Sequence, residues 1–246
     1  MQVTKKYEIL SVVLIFLAEI LLFLGHRNAS TIVHSLNILV IMAAATLKKD
    51  MRLLQTLSLV SIFRIINISL PIYFSFTIYW MASLYGLMLL PIFLIAKEQN
   101  ISIKDMGITM KWSYLWPAAI PLGLGLALIE NHFLNPEALI PGITAGEILK
   151  LGLVMFLFIG LVEEIIFRSF LQQRLEEKIG TTGGLMLASL IFGFMHSGYS
   201  NPYEVLFAIF AGLLIGFCFQ RTRSLPFVII VHGINNTILF GVLPFL

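Results

Sequence analysis

The sequence predicts an all-α protein, a polytopic bundle of transmembrane helices. The chain has 246 residues, of which 59% are hydrophobic and only 12% are charged. Its mean hydropathy is +0.95. Apolar runs of about 18 or more residues recur from end to end, and runs of that length can cross a bilayer as helices. A soluble domain of this size would need more polar surface.

Nine apolar segments are predicted to span the membrane, or eight if the chain around Pro71 forms a kink or a re-entrant turn. The segments cover residues 7–25, 29–47, 53–75, 78–96, 113–130, 147–170, 183–199, 203–219 and 225–243. The first is too long for a removable signal peptide and lacks a small-residue cleavage site, so we expect it to remain as a helix. Residues 1–99 are predicted to form the N-terminal helices, and residues 100–246 are predicted to form a core that contains the candidate site.

Basic residues orient these segments. They fall mainly in alternate connections: Lys5 and Lys6; Lys48, Lys49 and Arg52; Lys97, Lys104 and Lys111; Arg168, Arg174 and Lys178; Arg221 and Arg223. By the positive-inside rule, the N-terminus is cytoplasmic and the C-terminus lies outside. The net charge of +3 reflects these loops, and no nucleic-acid partner is predicted. Residues 168–180 are expected to prolong the sixth helix into the cytoplasmic interface.

Ionisable residues inside spans are costly, so each is a candidate for a structural or chemical role. We expect Glu19 and His34, in the first two helices, to be paired structurally. Arg64 lies in the middle of a span and needs a partner, for which Glu19 is a candidate. Glu204, at the start of the eighth helix, is expected to be solvated.

Three charges interrupt the apolar stretch "IGLVEEIIFRSF", residues 159–170. Glu164 and Arg168 are four residues apart, so they share a helix face and can form an ion pair. Glu163 points about 100° away around the helix and is left over. One of the two glutamates is therefore predicted to be neutralised, and the other needs a chemical reason to lie in the membrane.

Two further helices carry polar groups at matching depth. "FGFMHSGYSN" contains Phe192 and His196, and "PFVIIVHGINN" contains His232 and Asn236, four residues apart. At about 1.5 Å per residue, Glu163 and His232 lie roughly 10 Å below the inner surface, Asn236 about 16 Å and His196 about 18 Å. All four groups fall in one layer, and helix tilt can absorb the spread.

Such a cluster can be read in three ways. A carboxylate with a histidine can deprotonate water, and a second histidine with an asparagine can stabilise an oxyanion. Together these groups would hydrolyse a peptide bond without a covalent intermediate. The same residue types also serve proton or ion pathways in transporters, or hold helices together as a structural network. Spacing and depth leave all three open.

The motifs E-E-x-x-x-R (163–168), F-x-x-x-H (192–196) and H-x-x-x-N (232–236), in this order on apolar helices, resemble the CPBP family. This is the family of CAAX prenyl proteases and bacteriocin-processing enzymes, also called the Abi or type II CAAX endopeptidase family. "ISIKDMGI" (101–108) is similar to a segment often found upstream of that core. The resemblance covers residues 100–243 and implies an intramembrane glutamate protease.

The resemblance also implies roles for individual residues. Glu163 would activate water with His196, and His232 with Asn236 would form the oxyanion site. The supporting residues would be Glu164, Arg168 and Phe192.

Further expectations concern cofactors, substrates and location. Zinc is possible in this family, but no metal or other cofactor is favoured, because asparagine is a poor zinc ligand and H-E-x-x-H is absent from the sequence. Implied substrates are membrane-associated peptides or lipidated proteins, either prenylated tails or peptide precursors. The short loops suggest a prokaryotic plasma-membrane protein. The alternatives are a transporter and a non-proteolytic immunity or binding protein.

Overall fold

The computed structural model describes residues 2–47, 50–69, 77–109 and 116–246, and within these ranges the chain is helical with no strand. The all-α prediction is therefore confirmed. The α-helices are α1 Gln2–Phe23, α2 Arg27–Ala45, α3 Arg52–Ser69, α4 Ile78–Glu98, α5 Ala119–Leu134, α6 Ala145–Val154, α7 Leu161–Glu164, α8 Gln173–Phe194, α9 Pro202–Thr222 and α10 Leu225–Gly241. Two π-helical segments, Met155–Gly160 and Ile165–Gln172, connect α6, α7 and α8 into one long element.

Six stretches of the described residues are long and apolar enough to cross a membrane. They are Arg27–Ala45, Ile78–Glu98, Trp116–Leu134, Ala145–Tyr199, Pro202–Thr222 and Leu225–Phe245. The longest has 55 residues, and Gly180 interrupts it with a left-handed φ of 81°. Eight or nine spans therefore stay a prediction. The proposed kink at Pro71 lies outside the described residues, as do Lys48, Lys49, Lys111 and the predicted helix ends within 70–76 and 110–115.

The outer faces of the bundle are apolar, as expected of a protein embedded in lipid. Leu39 of α2 is 59% exposed, Leu90 of α4 is 64% exposed and Leu206 of α9 is 62% exposed. Exposed apolar surface on this scale is unfavourable in water but compatible with hydrocarbon. The exposed leucines and the apolar helices together support an integral membrane protein.

Local sequence determines where the helices of the core begin. Thr144 precedes α6 and accepts a hydrogen bond from the Glu147 amide, while Asn201 precedes α9 and accepts one from the Tyr203 amide. Ser224 does the same before α10. These side chains satisfy amide groups that have no partner in the first helical turn.

The N-terminal helices pack directly on the core. The segment Ile165–Gln172 contacts α3, and the short 3₁₀ turn Ser197–Tyr199 contacts α1. Within the core, α5 packs on α10, and α8 packs on α9. Buried apolar side chains from α1, α3 and α4 join those of the core in one cluster. This arrangement brings α1, α3 and α4 to the same region as the three sequence motifs.

Candidate active site

Glu163 and Glu164 lie in α7, a single α-helical turn between the two π-helical segments. π-Helical turns are rare and often occur at functional sites. A glycine of α10 lets a side chain of the long element approach this region. A Cβ on Gly233 would lie 2.6 Å from the Phe156 ring. The long element and α10 can therefore pack closely beside the glutamates.

The two glutamates have different surroundings, as their angular separation predicts. Glu163 is 7% exposed and lines a cavity, whereas Glu164 is fully buried. The Tyr85 hydroxyl of α4 donates a hydrogen bond of 2.5 Å to Glu163 Oε1. Glu163 Oε2 lies 3.8 Å from His232 Nε2. Of the pair, Glu163 is the carboxylate that a molecule in the cavity can reach.

Glu164 is held by a cation and by a histidine. Arg168 Nε lies 3.0 Å from Glu164 Oε2, so the predicted ion pair is present, although the N–H is not aimed at the oxygen in a hydrogen bond. His232 Nδ1 lies 2.7 Å from Glu164 Oε1. Since a carboxylate only accepts, Nδ1 carries the proton in this hydrogen bond. The Arg168 guanidinium also lies 4.5 Å from the centre of the Phe192 ring.

His196 lies just beyond the end of α8, in the turn that precedes Ser197–Tyr199. Its Nδ1 is 3.1 Å from the Phe192 carbonyl oxygen. A carbonyl accepts only, so Nδ1 is the donor and Nε2 of the neutral ring is left with a free lone pair. The His196 ring lies 5.1 Å from the Phe192 ring, and the Phe192 ring lies 6.3 Å from that of His232. Phe192 thus packs between the two histidines and beneath Arg168.

Asn236 follows His232 by one helical turn on α10. Its Oδ1 accepts a hydrogen bond of 3.1 Å from Asn235 Nδ2, which also donates to Glu130 Oε2 at 2.6 Å. With its oxygen occupied in this way, the Asn236 amide nitrogen is the group left to donate. Asn236 lines the same cavity as Glu163, His196 and His232.

The cavity has a volume of about 270 Å³, and side chains of both the core and the N-terminal helices line it. Tyr85 and Arg64 contribute from α4 and α3, and Glu130 contributes from α5. A single water needs about 10–15 Å³ of this kind of volume, so the cavity has room for several waters.

The four predicted site residues meet at this cavity, but they are not all in direct contact. Within the described ranges, no hydrogen bond or ion pair joins Glu163 to His196. The nearest polar partners of Glu163 are Tyr85 and His232.

Residues 2–47, 50–69, 77–109 and 116–246 contain no group of three or more histidine, cysteine or acidic side chains placed to hold a metal ion. Hydrogen bonds engage Glu163 Oε1 and His232 Nδ1, whereas Glu163 Oε2 and the Nε2 atoms of His196 and His232 have no hydrogen-bond partner among the described residues. A reaction without a metal therefore stays a prediction.

One expectation about an outlying residue is confirmed and another is wrong. Arg64 Nε pairs with Glu19 Oε1 at 2.8 Å, and His34 Nε2 lies 3.3 Å from the same oxygen, as predicted. Glu204, however, is fully buried rather than solvated. It belongs to α9, which packs against α5, where Glu130 is also buried.

The sequence did not point to Tyr85, Glu130 or Asn235. Tyr85 carries no charge and belongs to the N-terminal helices, so nothing in its local pattern marks it. Glu130 does carry a signal, because it is an acidic residue within an apolar helix, where charge is costly.

Residues 145–238 match the model of a protein family described as type II CAAX prenyl endopeptidase Rce1-like. The match contains all three motifs and confirms the resemblance to the CPBP family. Neither the curated proteins nor the solved structures provide a match to the chain.

Proposed function

Because residues 145–238 carry a type II CAAX prenyl endopeptidase-like domain, we propose that this integral membrane protein is an endopeptidase. It would hydrolyse peptide bonds in membrane-associated substrates by means of an activated water. The observation that carries the proposal is that Glu163, His196, His232 and Asn236 line one cavity, although they come from three different elements of the matched region.

Water activation is assigned to Glu163 and His196. The Glu163 carboxylate removes a proton from a water held between it and His196 Nε2, and the oxygen attacks the substrate carbonyl carbon. A C–O bond forms as the carbonyl becomes a tetrahedral oxyanion. When the C–N bond breaks, the proton taken from water is returned to the leaving amine. Tyr85 orients the carboxylate through its hydrogen bond to Oε1.

The oxyanion is stabilised by His232 Nε2–H and by the Asn236 amide. For His232 to donate from Nε2 while Nδ1 donates to Glu164, the ring must be a cation. Two carboxylates, Glu163 and Glu164, then balance two cations, His232 and Arg168, so the buried group is neutral overall. Preformed donors of this kind in a dry site lower the barrier because they need no reorganisation during reaction.

The supporting residues act through this charge balance. Glu164 fixes the His232 ring and neutralises Arg168, while Arg168 packs on Phe192. Phe192 separates the two histidine rings and keeps each facing the cavity. The reaction assigned to these groups requires no metal or other cofactor.

The proposed substrates are prenylated CAAX-type tails or peptide precursors, which enter from the cytoplasmic half of the bilayer. This direction rests on the predicted cytoplasmic orientation of the N-terminus and on the estimated depth of Glu163, roughly 10 Å below the inner surface. The proposed location is a prokaryotic plasma membrane.

The test is peptide cleavage by the purified protein in liposomes. The panel contains a farnesylated peptide ending in CAAX, its unprenylated counterpart and a hydrophobic precursor peptide, and mass spectrometry identifies the products. The wild-type protein should cleave at least one member at a single bond, whereas Glu163→Ala and His196→Ala should not. Full cleavage by either variant, or no cleavage by the wild type, would refute the proposal.

Substrate flux without cleavage would indicate a transporter instead, and protection of cells that survives Glu163→Ala would indicate a non-proteolytic immunity protein.

A further inference from the structure

α8 holds His196 through two hydrogen bonds, one from its amide to the Gly193 carbonyl oxygen and one from Nδ1 to the Phe192 carbonyl oxygen, but the residue itself lies outside the helix. The α-helix ends at Phe194, and His196 adopts a non-helical φ of −96° with ψ of 5°. The turn retains a few local hydrogen bonds, including the one from the Tyr199 amide to the His196 carbonyl oxygen. A catalytic group in such a turn needs support from elsewhere if its geometry is to be held within about 0.5 Å.

That support comes from α1 and α3, which lie outside the matched region. Arg64 Nη2 donates a hydrogen bond to the carbonyl oxygen of Met195, the residue before His196. Glu19 Oε2 accepts a hydrogen bond of 2.5 Å from the hydroxyl of Ser197, the residue after it. Glu19 and Arg64 are themselves joined at 2.8 Å. The Glu19–Arg64 pair therefore holds the chain by hydrogen bonds on both sides of His196.

The hydrogen bonds of Arg64 and Glu19 to the chain around His196 are buried, and neighbouring side chains support them. Glu19 and Ser197 are almost completely inaccessible, and Arg64 is 3% exposed. His34 Nε2 lies 3.3 Å from Glu19 Oε1, and the Nδ1 atom of the same ring is bonded to Ser61 Oγ at 3.2 Å. In a low-dielectric interior, charge-assisted hydrogen bonds of this kind are short and strongly directional.

We infer that Glu19 and Arg64 are positioning residues for His196, holding the Met195–Ser197 backbone so that the imidazole faces the cavity. The N-terminal helices are then part of the catalytic apparatus rather than an appended anchor. This inference rests on the proposed function, because it assigns to His196 a role in the reaction.

The mildest probe is Ser197→Ala, which removes one hydrogen bond and leaves the Arg64–Glu19 pair intact. We expect kcat to fall by about 10- to 100-fold with KM nearly unchanged, since small displacements of a catalytic group have effects of that size. Arg64→Lys keeps the charge but cannot bridge Glu19 and the Met195 carbonyl at once, so it should have the same effect or a larger one. The matched control is Ser11→Ala, a fully buried serine of α1 whose hydroxyl has no partner among the described residues.

A double-mutant cycle separates positioning from general stabilisation. If Ser197 acts through His196, then adding Ser197→Ala to His196→Gln, whose residual cleavage can be followed with excess enzyme, causes no further loss of kcat. Equal fold-losses in both backgrounds, or a kcat of Ser197→Ala equal to that of Ser11→Ala, would overturn the inference. The proposed function would stand in either case, provided that His196→Ala alone abolishes cleavage.

Hydrogen–deuterium exchange tests, without any substrate, whether Glu19 and Arg64 stabilise the backbone around His196. Peptides covering residues 195–201 should exchange faster in Ser197→Ala and Arg64→Lys than in the wild type, while the same peptides in Ser11→Ala should not change. Unchanged exchange rates of these peptides in both variants would refute the positioning role of Glu19 and Arg64, even if the protein proved to have another activity.

Discussion

Replacing Glu164 with glutamine keeps the size of the side chain and removes its charge, so it isolates what that charge contributes to stability. Arg168 is 1% exposed and has Glu164 as its ion-pair partner at 3.0 Å. Removing one member of a buried pair leaves the other charge uncompensated and costs about 3–5 kcal/mol. For a chain of this size, we expect the unfolding temperature to fall by roughly 10 °C.

Thermal unfolding in detergent can be followed with a thiol-reactive dye, because Cys218 is the only cysteine in the chain and is partly buried. The matched control is Glu163→Gln, which faces the cavity and can still accept the Tyr85 hydrogen bond, so its free energy of unfolding should change by less than about 1 kcal/mol.

Equal destabilisation by the two substitutions would refute this reasoning. A Glu164→Gln variant that is stable but inactive would mean that the two glutamates must exchange roles.

Other substitutions test neighbouring parts of the site. Tyr85→Phe should lower kcat by about 10-fold while preserving folding, because it removes a hydrogen bond to a charged group; steady-state cleavage rates equal to the wild type would contradict this. Asn236→Ala should lower kcat by about 100- to 1,000-fold with little change in KM, as expected for the loss of an oxyanion donor. Gly233→Ala should destabilise the fold by about 1–3 kcal/mol, since its Cβ would overlap the Phe156 ring, and thermal unfolding measures this. Activity should persist after dialysis against a chelator, and stoichiometric zinc lost together with activity would contradict a metal-free reaction.

Sequence reasoning succeeded where hydrocarbon leaves a side chain few choices. A charge in an apolar helix must find a partner, so the pairing of Glu164 with Arg168 could be predicted from spacing, and Glu19 could be named as a candidate partner for Arg64. The same rule marked His196 and His232, which do line one cavity with Glu163.

Prediction from the sequence failed where the position of a side chain depends on packing between helices that are distant in sequence. Tyr85 reaches Glu163 across 78 positions, and no local pattern in α4 marks that tyrosine. Glu204 was expected to be solvated because it begins a helix, yet packing against α5 buries it. The π-helical turns around α7 were also missed, because such turns have no clear sequence signal.

The central claim is that Glu163 activates the water that cleaves the peptide. The most direct measurement is cleavage in liposomes prepared in H₂¹⁸O, with wild-type protein and Glu163→Gln compared at equal amounts of folded protein. The account predicts that the wild-type product carries one ¹⁸O atom in its new carboxyl group and that Glu163→Gln forms this product at least about 100-fold more slowly. Wild-type rates from Glu163→Gln would contradict it.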